Sequence, residues 1–90
     1  MEIDRVQLVI LSLLEKKHAT TPGSGMTLRE IYNVLNEQGN FGCAQITLSR
    51  KVWKLRDMEY VTSKMKSNKA DMFYITEKGK EMRRVLFNEE

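Results

Sequence analysis

The sequence contains one cysteine, Cys43, and one histidine, His18. A single cysteine excludes an intramolecular disulfide, and these two residues cannot supply the Cys and His ligands of a structural zinc site. One histidine leaves few options for a histidine-based active site. The chain also specifies no nucleophile–base pair, no glycine-rich phosphate loop and no catalytic carboxylate pair. We therefore expect no metal, no cofactor and no enzymatic activity.

Long apolar runs are also missing. The longest covers residues 8–11 and is interrupted by Ser12, whereas a membrane-spanning helix needs about 18 apolar residues or more. Glu2 and Asp4 precede any apolar stretch, which is not the pattern of a signal peptide. We therefore expect a cytoplasmic protein with no membrane segment.

The composition is that of a small globular protein. Of the 90 residues, 41% are hydrophobic and 30% are charged. This hydrophobic content is enough to form one modest core and is higher than that of a disordered chain. The sequence has no internal repeat, no low-complexity tract and no linker. Residues 1–90 are therefore predicted to form a single domain.

Positive charge is concentrated in one third of the chain. The net charge is only +3, but residues 44–69 contain seven basic and two acidic side chains, and the rest of the chain is net negative. Segregated basic charge in a small domain favours a polyanionic partner. The alternative is a solvated lysine-rich surface, and charge alone does not decide between them.

Apolar spacing predicts two helices in the first part of the chain. The first covers residues 3–17, with apolar side chains on one face at three- and four-residue spacing. A glycine-rich loop, expected to be mobile, follows at residues 18–26. Thr27 and Glu30 then have the spacing of a capping box, which starts a second helix that extends to about residue 38.

A third helix is predicted from about residue 44 to 58. Leu48, Val52 and Leu55 form its buried stripe. When Leu48 is placed at 0° and each residue advances about 100°, polar and basic side chains fall on the other side of the helix. They are Arg50, Lys54, Thr47 and Lys51, at about 200°, 240°, 260° and 300°. This arrangement would let the helix enter a DNA groove while it stays anchored in the domain.

A hairpin and a last helix complete the predicted order of elements. Residues 60–65 and 72–76 have strand character and flank a polar turn at 66–71. Thr76 can cap a helix that begins at Glu77 and ends at about residue 88. The fold class is therefore mainly α with a small β-hairpin.

Two stretches resemble the winged helix-turn-helix family of prokaryotic transcriptional regulators, in particular its MarR-like and PadR-like groups. Residues 48–61, LSRKVWKLRDMEYV, resemble the family's recognition helix and the strand that follows it. Residues 74–81, YITEKGKE, resemble the family's Y-x-L-T-E-K-G segment between the wing and the last helix. Glu59 departs from the pattern, because family members often have a glycine there.

The resemblance implies a sequence-specific double-stranded DNA-binding regulator. Its recognition helix, at about 44–58, would lie in the major groove, and its wing, at about 66–71, on the adjacent backbone or minor groove. Such proteins often bind as homodimers, and the first and last helices are the available dimer surfaces. The candidate DNA-binding residues are Gln45, Thr47, Ser49, Arg50, Lys51, Lys54, Lys64, Lys66, Asn68 and Lys69.

Arg50 is the strongest candidate for base readout, because a guanidinium can donate two hydrogen bonds to guanine. Its alternative role is an ion pair with Asp57 or Glu30. Trp53 could contact the DNA backbone, pack against the wing or lie in a protein interface. The last possibility belongs to a second hypothesis, a protein-interaction module centred on Trp53 or Phe41.

Overall fold

The computed structural model describes residues 3–37, 44–65 and 71–87. The elements are α1 (Arg5–Lys16), α2 (Leu28–Glu37), α3 (Gln45–Asp57), β1 (Val61–Met65), β2 (Asp71–Ile75) and α4 (Glu77–Phe87), with a 3₁₀ turn at Pro22–Ser24. Strands β1 and β2 pair antiparallel in a two-stranded sheet. This is the winged-helix architecture, and the predicted fold class is confirmed. Each predicted boundary lies within two residues of the observed one.

The core is formed where the helices cover one face of the hairpin. Leu48, Val52 and Leu55 are fully buried, which confirms the stripe predicted for α3. Strand β2 contributes Phe73 and Ile75 to the same cluster. Other large side chains that are fully buried are Ile10, Leu11 and Leu14 of α1, Ile31 and Leu35 of α2, and Val61 of β1. Burial of these stripes fixes one side of α3 against the domain.

Helix α3 ends in a backbone conformation that favours glycine. The amide of Glu59 donates to the carbonyl of Arg56 at 2.9 Å, and the amide of Tyr60 donates to that of Leu55 at 3.0 Å. These two bonds define a Schellman motif, in which Glu59 has a left-handed φ of 69°. The departure from the glycine pattern therefore places a side chain where left-handed backbone carries a conformational cost. His18, at the end of α1, has a similar φ of 58°.

Thr76 and Gly79 join α4 to the corner between α3 and β1. The Thr76 hydroxyl accepts from the amide of Gly79 at 3.0 Å, as predicted for the cap, and donates to the carbonyl of Glu59 at 2.7 Å. The amide of Thr76 donates to the carbonyl of Tyr60 at 3.1 Å. A Cβ atom on Gly79 would lie 2.1 Å from that carbonyl oxygen. Gly79 therefore allows the close approach that sets α4 against this corner.

The connection between α1 and α2, predicted as a loop at residues 18–26, is bonded to the sheet at both of its ends. Met26 and Phe73 exchange two backbone hydrogen bonds of 2.8 Å, and the amide of Ile75 donates to the carbonyl of Ala19 at 2.8 Å. Met26 is also buried. Both ends of the loop therefore supply partners to β2, which local sequence patterns do not reveal.

In the described ranges, no helix is long and apolar enough to cross a membrane. Within the same ranges, no group of three or more His, Cys, Asp or Glu side chains is placed to hold a metal ion.

Candidate nucleic-acid interface

Helix α3 presents a polar and basic surface opposite its buried stripe. Gln45, Arg50 and Lys54 are exposed, and Thr47 and Ser49 are half-buried beside them. Ile46 lies among them with 62% of its surface exposed. The structure thus brings the candidates on α3 together along one helix, whose position is fixed by the core on its other side.

Arg50 and Lys54 are unpaired in the part of the chain that the structure describes. Neither forms a hydrogen bond or ion pair with another described residue. The alternative pairing of Arg50 with Glu30 does not form, because the Glu30 carboxylate accepts from the amide of Thr27 at 3.0 Å in the predicted capping box. Nor does Arg50 pair with Asp57. The two cations are therefore available to a polyanion.

Lys51 differs from its neighbours, because its ammonium is paired with the carboxylate of Asp4 on α1. Asp4 also caps α1: its Oδ1 accepts from the amide of Gln7 at 2.8 Å, and its own amide donates to Gln7 Oε1 at 2.9 Å. Gln7 is 3% exposed, and its Nε2 donates to the backbone carbonyl of Lys51 at 3.3 Å. The start of α1 therefore contacts both the backbone and the side chain of Lys51.

The electrostatics at this contact favour an ionised Asp4. Partial burial acts to raise the pKa of Asp4, but hydrogen bonds from Lys51 and the Gln7 amide outweigh it and hold the pKa below its ordinary value. The carboxylate lies in a cleft of about 390 Å³ between α1 and α3. The side chains that line this cleft belong to Ile3, Asp4, Gln7, Thr47, Arg50, Lys51 and Lys54.

Trp53 packs against the hairpin, which is one of the three roles considered for it. Its ring meets that of Phe73 edge to face, with centroids 5.1 Å apart and an interplanar angle of 81°. The Arg56 guanidinium lies over the Trp53 ring, 5.3 Å from its centroid, and its Nε donates to Ser63 Oγ on β1 at 2.9 Å. These contacts connect α3 to both strands of the hairpin.

Sequence reasoning omitted three residues that shape this surface: Asp4, Gln7 and Arg56. Asp4 and Gln7 have capping-box spacing, so a local signal did indicate their mutual bonds. Their contacts with Lys51 cross more than 40 residues of sequence and had no local signal. Arg56 belongs to the basic segment, but helix geometry alone did not indicate its bond to Ser63.

The wing is described only in part. Lys64, opposite Met72 in the hairpin, is exposed. The remaining wing candidates lie outside the described residues, as do two residues discussed above. They are Lys66, Asn68 and Lys69 in the wing, and Phe41 and Cys43 before α3.

The fold and this surface define a winged-helix protein with an exposed basic helix. The chain matches no protein-family model and no curated protein. Among solved structures it is similar to the crystal structure of a possible HxlR family transcriptional factor from Thermoplasma volcanium, with a TM-score of 0.67 and 21% sequence identity. The similarity covers 93% of this chain and 66% of the other, so this chain spans about two thirds of the length of its neighbour. Similarity at this identity shows the winged-helix fold.

Proposed function

We propose that residues 1–90 act as one sequence-specific DNA-binding domain of a cytoplasmic transcriptional regulator without catalytic activity or a cofactor. Helix α3 enters the major groove, and the wing at about 66–71 contacts the adjacent backbone or minor groove. The observation that carries this proposal is that Arg50 and Lys54 have no partner among the described residues and lie on the exposed side of a helix whose other side is buried. The neighbour, a possible transcriptional factor, supports the same role.

Base readout is assigned to the exposed side of α3. Arg50 donates two hydrogen bonds to O6 and N7 of guanine, the commonest specific contact in the major groove. Ile46, exposed beside it, contacts a thymine methyl group. The polar residues proposed to contact base edges or nearby phosphates are Gln45, Thr47 and Ser49.

Phosphate contacts are assigned to the lysines of α3 and the hairpin. Lys54 on α3 and Lys64 on β1 are exposed and are proposed to contact phosphates on the two sides of a groove. The proposed wing contacts are Lys66 and Lys69 on phosphates and Asn68 in the minor groove. Lys51 lies on the same surface, but its ammonium is paired with Asp4, so it is not counted among these phosphate contacts.

A rigid reading helix supports sequence recognition, because base contacts require precise placement. Helix α3 is held at its middle by Gln7, at Trp53 by the ring of Phe73, and at its end by the Schellman motif. Contacts from α1 and both strands thus fix the orientation of α3 relative to the rest of the domain.

We further propose that the protein binds as a homodimer through α1 and α4. The two helices are joined by Arg83, which donates to Ser12 Oγ at 3.1 Å and lies 3.3 Å from the carboxylate of Glu15. Val85 on α4 is 69% exposed. Two copies would double the base contacts of a small module and match a palindromic site. Light scattering measures the dimer, and Val85→Glu should weaken it.

Fluorescence anisotropy with duplex DNA across a salt series tests the function. We expect micromolar or tighter binding that weakens as salt rises, and loss of about 0.9 from the log–log salt slope for each phosphate contact removed. The test variant is Arg50→Gln with Lys54→Gln. Its matched control is Lys16→Gln with Lys17→Gln, which removes two exposed charges at the far end of α1, about 18 Å along that helix from its start. Because α1 belongs to the proposed dimer surface, light scattering verifies that the control keeps the wild-type oligomeric state.

The control should bind like the wild type, whereas the test variant should lose affinity and salt dependence. Absence of binding to any duplex at low salt would reject the function. Selection from a random DNA pool then reports whether the site is specific and palindromic.

The second candidate function is a protein-interaction module, and exposed Ile46 is the observation that favours it. Trp53 is less suited to that role than expected, because its ring already packs on Phe73. An interaction module should retain its partner when Arg50 and Lys54 are neutralised and lose it in Ile46→Glu.

A further inference from the structure

We infer that Asp4 is a built-in counter-ion that withholds Lys51 from DNA and thereby limits affinity for duplexes of any sequence. This inference rests on the proposed function and concerns regulation of the same surface. It assigns Asp4 as a positioning residue that acts through Lys51.

The first support is the geometry of the contact. The two carboxylate oxygens of Asp4 have different partners: Oδ1 accepts from the Gln7 amide, and Oδ2 pairs with the Lys51 ammonium. The Gln7 side chain in turn bonds the Asp4 amide and the Lys51 carbonyl. The capping box therefore orients the Asp4 carboxylate independently of Lys51. The buried side-chain amide of Gln7 also connects the start of α1 to the backbone of α3.

The second support is the contrast along α3. Arg50 and Lys54 line the same cleft as Lys51, but neither has an acidic partner among the described residues. One cation of the three is thus neutralised within the molecule. The Lys51 side chain is 28% exposed and that of Asp4 46% exposed, so the ion pair lies at the rim of the surface proposed to meet DNA.

The physical consequence concerns phosphate contacts. A phosphate that approaches Lys51 must displace Asp4 and then stay near its negative charge, so the DNA-bound state keeps the ion pair. Phosphate contacts carry no sequence information of their own. The loss of one phosphate contact lowers the affinity for every duplex. The base contacts of Arg50 then account for a larger share of the binding free energy.

The test variant is Asp4→Asn, because asparagine caps a helix as well as aspartate does but has no charge. With Lys51 released to a phosphate, the log–log salt slope should steepen by about 0.9 on a duplex of arbitrary sequence. If the variant and the wild type bind equally at 1 M salt, one added phosphate contact should make the variant bind on the order of tenfold more tightly at 50 mM. At 200 mM salt, this advantage in affinity should be about 3.5-fold smaller than at 50 mM. Circular dichroism verifies that the variant is folded.

Three further variants separate release of Lys51 from other effects. Asp4→Asn combined with Lys51→Gln should return the slope to the wild-type value. Glu81→Gln is the matched control, because it removes an acid paired with Arg84 of α4 at 3.5 Å and should leave the slope unchanged; since α4 belongs to the proposed dimer surface, light scattering verifies that this variant keeps the wild-type oligomeric state. Lys54→Gln, which removes a cation with no acidic partner among the described residues, should make the slope shallower by about 0.9.

The possible results distinguish the inference from the proposed function. If the wild type binds no duplex at low salt, both fail. If the wild type binds and Asp4→Asn has the wild-type slope, only the inference fails. It also fails if Asp4→Asn combined with Lys51→Gln keeps the steeper slope of Asp4→Asn, because the added phosphate contact would then not come from Lys51.

Discussion

Replacement of Glu59 by glycine should stabilise the protein through the backbone alone. Glu59 has a φ of 69° at the end of α3, and a left-handed conformation costs an ordinary L-residue roughly 1–2 kcal/mol. Glycine avoids this cost but adds roughly 0.5–1 kcal/mol of chain entropy to the unfolded state. The difference predicts that Glu59→Gly raises the free energy of unfolding by about 0.5–1 kcal/mol.

Thermal and urea unfolding followed by circular dichroism measure this effect. For a domain of this size, about 0.5–1 kcal/mol corresponds to a rise in Tm of roughly 2–8 °C. The matched control is Glu59→Ala, which removes the same charge but keeps a Cβ in the left-handed conformation. If the alanine variant is stabilised as much as the glycine variant, the gain comes from charge and the conformational reasoning is refuted.

Three further perturbations test contacts that hold α3 in place. Gly79→Ala should lower the free energy of unfolding by roughly 1–3 kcal/mol in urea titrations, because its Cβ would lie 2.1 Å from the Tyr60 carbonyl oxygen; full stability would show that the corner relaxes freely. Trp53→Leu should lose about 1 kcal/mol in the same assay through its aromatic contact; wild-type stability would show that the contact with Phe73 contributes nothing. Burial acts to raise the pKa of Asp4, but the contacts with Lys51 and the Gln7 amide outweigh it, so the net pKa is lowered. The stability contributed by the Asp4 carboxylate is therefore present above the unfolded-state pKa and is lost as pH falls below about 4. Lys51→Gln should reduce that pH dependence, and urea titrations across acidic pH would contradict this if both proteins lose stability equally.

The order and limits of the elements followed from local patterns. The capping box of Thr27 and Glu30 and the cap at Thr76 both form with the predicted bonds. These devices act over three residues, so the chain carries their signal within a short window. At Glu59 it was the family resemblance, and not a local pattern, that indicated a position where glycine is common, and the left-handed φ of 69° agrees with that preference.

The apolar stripe of α3 shows how far this reasoning extends into the site. Because a helix repeats every 3.6 residues, the buried positions of Leu48, Val52 and Leu55 also determine which side faces outward. That was sufficient to place Arg50 and Lys54 on an exposed surface, where the structure leaves them unpaired among the described residues.

Tertiary packing decided what these outward side chains meet. The pairing of Lys51 with Asp4, the contact of Trp53 with Phe73 and the bridge from Met26 to β2 all join elements that are separate in sequence. Helical periodicity gives the direction of a side chain from its own axis but carries no information about the neighbouring helix or strand. Of two adjacent residues with the same charge, Arg50 is unpaired among the described residues, whereas Lys51 is neutralised by the carboxylate of Asp4 at the start of α1.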